Sequence, residues 1–339
     1  MECIKCQIHS PAAVKQALLT IASMCSTQEN AKDILRERDG LKFVLNILIS
    51  DTDTGVKEAA MFALGCAVES NVFSQKQLCQ RSVFVYLHKL LSSHQSGVRL
   101  IQTASFFILT LTTINSMGQT LVRKSECLEV LLELFKSTLP VSASVRKKPT
   151  VDLQSTELWT NVTSALSACV NNPQNEENQR LCSKVFPHAF QLLQDGTESH
   201  VLRPLASFIG LTVANNVLNQ DRAEQCGVLE VLISAIDRVL LRSSQYHSDL
   251  QLAVALTNTI DTIITDHTRN AARCGSLGGI RLFLRLLQTE LEPSAAVQVV
   301  LTLAHCTDDC RKAAVVYMIP MCMTLYSAGI HLWCDARDV

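Results

Sequence analysis

The sequence predicts an all-α fold, a right-handed solenoid of about seven stacked helical repeats, and three observations carry that reading. Apolar residues recur at helical rather than strand spacing. Whole segments return after forty-odd residues, 43 between the first two copies, the mark of a repeat array. Chain-breaking residues are sparse, with 12 Gly and 8 Pro in 339 residues, whereas an α/β chain of this size needs more Gly-rich turns between β-branched runs.

The interval is read from Ala17 in "VKQALLTIASMC", which returns 43 residues later as Ala60 in "VKEAAMFALGCA". Each copy leads through a polar spacer to a second apolar segment, "DGLKFVLNILIS" from Asp39 and "SVFVYLHKLLSS" from Ser82. At the same offset Phe43 falls on Tyr86, Val44 on Leu87 and Leu48 on Leu91. The alternation continues through "ASFFILTLTT" and "CLEVLLELFKS", "SALSACV" and "FPHAFQLLQ", "SFIGLTVANN" and "GVLEVLISAI", then "ALTNTIDTII" and "GGIRLFLRLL". "VQVVLTLAHC" opens a seventh copy. A helix with a broad apolar face cannot hide it alone, so successive units stack into one core. A short first helix, a longer second and a tight turn at Gly40, Gly227 or Gly279 into a third describe the armadillo type, with two-helix HEAT repeats the near alternative.

On this reading residues 1–10 lead into an armadillo-repeat domain over 11–329, and 330–339 form a divergent tail. The polar stretch from Asn171 to Gln179 is a connector toward a third helix, with Pro173 barring helical continuation and Pro187 fitting the next helix's first turn. An insertion over 140–154, mixing Pro, Ser and the Arg146-Lys147-Lys148 cluster, is expected as an exposed loop.

A formal net charge of −1 and the absence of a basic stripe argue against direct contact with nucleic acid. No stretch approaches the roughly 20 uninterrupted apolar residues of a membrane span, and the N-terminus lacks the apolar core of a signal peptide. Most of the 14 cysteines, such as Cys66, Cys127 and Cys169, lie in apolar helical runs, so a reducing compartment, cytosol or nucleus, is expected.

Chemistry-bearing clusters are few. Cys3 and Cys6 have metal-ligand spacing with His9 following, but no second pair completes four zinc ligands. His305, Cys306, Asp308, Asp309 and Cys310 would need to converge for nucleophilic catalysis; polar residues at a helix end explain them more simply, as they do His188 and Cys182. No dinucleotide, P-loop or zinc-protease motif occurs. The expectation is a non-enzyme without cofactor, metal or catalytic residues.

Surface is what remains. Third helices of armadillo arrays line a groove, and here they carry polar pairs at i, i+4: Lys42 with Asn46, Glu129 with Glu133, Glu230 with Ser234, and Arg281 with Arg285. These eight are the candidate partner-binding residues, with solubilisation as the plain alternative. Import-receptor grooves use repeated Trp–Asn pairs, and Trp159 and Trp333, the two Trp present, lie elsewhere.

The most specific segment is "LWTNVTSALSACVNNPQNEENQRLCSKVFPHA", Leu158 to Ala189. With "MGQTLVR" from Met117, "RPLASFIGLTVANN" from Arg203, "LTLAHCTDDC" from Leu301, "VKEAAMFALG" and "ALLTIAS", it resembles the N-terminal armadillo region of the telomere bouquet formation family, meiosis-specific chromosome proteins. The resemblance runs from about Pro11 to Cys310, and the chain drifts from it after Arg311 as a fragment or alternative end would. It implies a scaffold of meiotic prophase that attaches telomeres to the inner nuclear membrane and supports bouquet formation, homologue pairing and synapsis. The implied partners are a second bouquet formation protein, a membrane-anchored junction protein, the shelterin duplex-binding subunit, cohesin and the nuclear-envelope bridge. The family's segments for the first three, and its Myb-like domain, lie in a C-terminal part expected to be missing here. The competing expectation is a general armadillo adaptor of cytosol or nucleus, unrelated to meiosis.

Overall fold

The computed structural model describes residues 4, 9–28, 30–93, 95–138, 153–194, 199–242 and 247–307. They form helices joined by short turns, and no strand occurs among them. The chain falls into two compact units, Met1–Val185 and Phe186–Val339.

In the first unit the helices come in threes: α1 (Pro11–Thr27), α2 (Ala31–Glu37) and α3 (Gly40–Ser50); α4 (Thr54–Val68), α5 (Val72–Leu78) and α6 (Arg81–Ser92); α7 (Val98–Thr112), α8 (Ser116–Lys124) and α9 (Cys127–Ser137). A fourth set begins with α10 (Leu153–Val170) and α11 (Glu176–Cys182). The second unit opens on a closing helix, α12 (Phe186–Gln194). It continues with α13 (Ser199–Val213), α14 (Val217–Gln225) and α15 (Val228–Arg242), then α16 (His247–Ile264), α17 (Thr268–Ser276) and α18 (Gly279–Leu287), and starts again at α19 (Pro293–Thr307).

The expected helix lengths are corrected by this order. The first apolar segment of each repeat is one long helix, 17 residues in α1 and 15 in α4, and the polar spacer holds a short one, 7 residues in α2 and α5. The connector read at Asn171–Gln179 is corrected in the same way, because its second half, from Glu176, is the short helix α11. Pro187 does sit in the first turn of α12. The 140–154 insertion falls largely outside the described residues, and the tail after Thr307 wholly so.

The joint from long to short helix is built identically in four repeats. One residue takes positive φ, Ser70, Ile114, Asn215 or Asp266. The next caps the short helix: Asn71 accepts from the Ser74 N–H at 2.9 Å, Asn115 from Gly118 at 3.2 Å, Asn216 from Asn219 at 3.2 Å, and His267 Nδ1 from Asn270 at 3.2 Å. Asn175 caps α11 likewise, accepting from Asn178 at 3.1 Å. Four residues past the cap, a buried glutamine reaches the next long helix. Gln75 Nε2 donates to the carbonyls of Thr110 (2.9 Å) and Thr113 (2.8 Å), Gln119 to Ala168 and Asn171 (3.0 Å each), and Gln220 to Thr262 (2.9 Å) and Thr265 (3.0 Å). Those carbonyls belong to the end of a helix, where no intrahelical donor remains.

The turn into the closing helix differs from the expected one. Gly227 and Gly278 take positive φ, but Asp39 and Glu126 hold the same conformation in other repeats. Gly40 instead answers crowding: a Cβ there would lie 2.4 Å from Leu35 Cδ1 and 2.7 Å from the Leu35 carbonyl oxygen. Long helices pack on long helices within each unit, α1 on α4 on α7 on α10 and α13 on α16 on α19. Leu18, Met61, Phe107 and Trp159 are fully buried along the first row and Phe208 in the second. Trp159 packs on Phe135 with ring centroids 5.5 Å apart. Hydroxyls inside these rows bond the preceding turn, as Thr163 does to the Trp159 carbonyl at 2.8 Å and Thr257 to Ala253 at 2.9 Å.

Cysteines fill the gaps as small apolar side chains. Burial pushes the thiols of Cys25 and Cys127 up to about 11 and that of Cys169 up to about 12, from an ordinary 9.0. Because the folded pKa lies above the unfolded one, their contribution is complete below pH 9 and is lost as pH rises toward 11–12. The unfolding free energy from urea titration is expected to fall over that window, by at most about 1.4 kcal/mol per pH unit for each thiol, and Cys169→Ala should make the fall shallower. A second expectation concerns the turn. Gly40→Ala should cost about 1–3 kcal/mol in urea unfolding. Gly97→Ala, where the added carbon meets nothing within 4 Å, should change stability by less than about 0.5 kcal/mol.

Candidate interaction surface

The described thiols and imidazoles do not assemble a reactive site. His305 on α19 pairs with Asp261 of α16, Nδ1 to Oδ1 2.7 Å, with Thr265 Oγ1 at 3.3 Å. Cys306, one residue on, is buried and hydrogen-bonds the Cys274 thiol, which that contact and burial hold far above the ordinary range. A thiol so placed is a poor nucleophile. Asp308, Asp309 and Cys310 lie outside the described residues, as do Cys3 and Cys6. His188 is exposed on α12, while Cys182 is fully buried on α11 with its pKa raised by desolvation. No group of three or more His, Cys, Asp or Glu side chains that could hold a metal occurs among the described residues, and none of their helices is long and apolar enough to cross a membrane.

The eight polar positions named from sequence all sit on closing helices, in two groups. In the first unit Lys42 and Asn46 are exposed on α3, and Glu129 and Glu133 on α9. Lys42 reaches Asp39 at 3.3 Å and Glu133 meets Lys136 at 2.7 Å, each pair within a single turn of helix. In the second unit Ser234 on α15 and Arg281 on α18 are exposed. Glu230 and Arg285 are tied down. Glu230 pairs with Arg273 of α17, and Arg285 Nη1 lies 2.5 Å from Asp237 of α15, so these charges join successive repeats. Glu224 also faces Arg273, Oε1 to Nε 3.5 Å; burial and the neighbouring Glu230 carboxylate push its carboxyl up. Ion pairs this exposed contribute little to stability.

Two features escaped the sequence reading. The pattern Asn-x-x-x-Gln, at 71–75, 115–119, 175–179 and 216–220, was visible but reads as polar loop until the short helix is recognised. With the short helix expected first rather than in the polar spacer, the apolar residues it exposes there were missed, among them Phe73, Met117 and Leu218.

No family model matches the chain. Among solved structures it resembles an engineered protein (TM-score 0.66, 17% identity, 86% of this chain and 64% of that one) and a designed armadillo repeat protein (TM-score 0.59, 15% identity, 78% and 99%). Another designed armadillo repeat protein, solved with the peptide (KR)4, matches with TM-score 0.59 at 14% identity over 78% of this chain and 99% of that one. These likenesses show the fold, an all-α armadillo-type solenoid. In sequence the chain is 38% identical over 319 residues to a Homo sapiens protein and 36% identical over 313 residues to one from Danio rerio, covering 92% and 91% of this chain. It spans only 43% and 38% of the lengths of those two relatives. Both are named telomere repeats-binding bouquet formation protein 1, and over nine tenths of its length this chain is similar to them.

Proposed function

We propose that the chain is a non-catalytic armadillo-type scaffold of the meiotic telomere complex. In this reading it helps attach telomeres to the inner nuclear membrane and supports bouquet formation, homologue pairing and synapsis. The observation that carries it is 38% identity over 319 residues to the human relative, a match that includes far more than the repeat pattern shared by any armadillo array. The arrangement of polar groups supports it. Gln75 and Gln119 are spent on neighbouring helix ends and burial favours the neutral thiol at Cys169, so recognition falls to exposed side chains.

The partners in this reading are proteins: a second bouquet formation protein, a membrane-anchored junction protein, the shelterin duplex-binding subunit, cohesin and the nuclear-envelope bridge. Contact is made through the free polar positions of the closing helices, Asn46 and Glu129 in the first unit and Ser234 and Arg281 in the second. The site of action is the telomere at the nuclear inner membrane.

Crosslinking mass spectrometry on the tagged full chain in meiotic prophase cells tests this. Crosslinks to telomere-complex or nuclear-envelope proteins are expected, and Glu129→Lys with Glu133→Lys should weaken those made near α9. Crosslinks confined to cytosolic proteins would refute the assignment.

A further inference from the structure

One joint among those described carries a titratable group where the others carry an amide. Asn71, Asn115, Asn175 and Asn216 cap α5, α8, α11 and α14, and an amide oxygen accepts whatever the pH. α17 is capped by His267, whose Nδ1 accepts from the Asn270 N–H at 3.2 Å. A ring nitrogen accepts only while it carries no proton. The backbone N–H therefore fixes the tautomer: in the capped state the ring proton sits on Nε2, 3.1 Å from Asp221 Oδ1 of α14. The His267 side chain is 8% exposed, so water has little room to replace either partner.

The other charged groups around α17 are engaged elsewhere or point to solvent. Arg273 of α17 meets Glu224 of α14 and Glu230 of α15. Asp261 of α16 meets His305 of α19, and the thiols of Cys274 and Cys306 bond each other. On α18 Arg285 meets Asp237 of α15, and Arg281 is exposed. Arg222 beside Asp221 and Arg269 on α17 are exposed, and so is Asp266, which precedes the ring at the positive-φ position. Among the described residues, Asp221 alone lies within ion-pair distance of the His267 imidazole.

We infer that His267 makes the joint between α16 and α17 acid-labile: protonation of Nδ1 uncaps α17 and frees its first turn. The cap is complete at high pH and is lost as pH falls, because only the neutral ring can accept. With both nitrogens protonated, Nδ1–H faces the Asn270 N–H, donor against donor, and a cation stands at the positive end of the helix. The imidazolium keeps Asp221, and turning toward that carboxylate takes it off the cap. The first turn of α17 holds more than itself. Asn270 Nδ2 donates to the carbonyls of Gln220 on α14 (3.4 Å) and Ile263 on α16 (3.2 Å), so fraying there loosens both neighbours from α17. Histidine is the side chain suited to such a change between about pH 5 and 8. The joints capped by asparagine lack it.

NMR on the full chain provides the test. Histidine nitrogen shifts at about pH 8 should show His267 protonated on Nε2. Amide exchange, corrected for its intrinsic pH dependence, should show protection at Asn270 and Ala271 falling about fivefold or more between about pH 8 and pH 5, the size of a lost cap. His267→Asn, which installs the residue used at the other four joints, should keep that protection level. The first turns of α5 and α8, capped by Asn71 and Asn115, are the internal reference and should stay level too. Asp221→Asn removes the charge that draws the imidazolium off the cap, so the fall should move to lower pH. The inference is overturned by an Nδ1–H tautomer at the upper pH, or by parent protection that follows the His267→Asn profile. It is equally overturned if the Asp221→Asn profile coincides with that of the parent.

Discussion

A long helix that ends against its neighbour, away from water, leaves its last carbonyls with nothing to accept from. Each orphaned acceptor costs on the order of 1–3 kcal/mol. In this protein the donor comes from the preceding repeat: one glutamine side chain, buried on a short helix, places both amide hydrogens on two carbonyls at once. The asparagine cap four residues earlier aims that glutamine by fixing where the short helix begins. Asn178 adds a reverse link, donating to the Gln119 carbonyl at 2.9 Å and to Cys169 at 2.8 Å. Stacking thus acquires a register as well as an apolar driving force.

That arrangement decides what is left for function. Inside the rows, Thr163 and Thr257 bond their own helix, while Gln75, Gln119 and Gln220 bond the next. Burial pushes the thiols of Cys25, Cys127, Cys169 and Cys182 up, toward the neutral form. The imidazoles of His267 and His305 are engaged by carboxylates across helices, at 3.1 and 2.7 Å. Exposed side chains remain on the outer positions of the closing helices, such as Asn46 and Arg281, and on the short ones, such as Phe73 and Leu218.

The long and closing helices were legible because their apolar residues keep a helical period over 9 to 18 residues and recur from repeat to repeat, 43 residues apart between the first two. The short helices were not. Seven residues are too few to nucleate alone, and "NVFSQKQ" carries loop-like composition while being held helical by Asn71 and by Gln75's long-range bonds. The glycine reading held at Gly40 and Gly279, where an added Cβ would be crowded, and at Gly227, where φ is positive, but its cause was not legible. Sequence shows that Gly40 lacks a side chain but not that Leu35 closes over it. For the candidate surface, spacing alone placed Lys42 and Asn46 on one exposed face. It could not show that Glu230 and Arg285 are occupied, because their partners Arg273 and Asp237 lie 43 and 48 residues away in the chain.

Hydrogen exchange on the full chain, comparing the parent with Gln119→Leu, tests the amide frame most directly. Solenoid stability is local, a sum of repeat and neighbour terms. Protection should therefore fall in the last turn of α10 and in α8 and α11, which Gln119 and Asn178 join, while α1 to α3 keep theirs. Unchanged protection in α10, or a uniform loss across the first unit, would contradict the account.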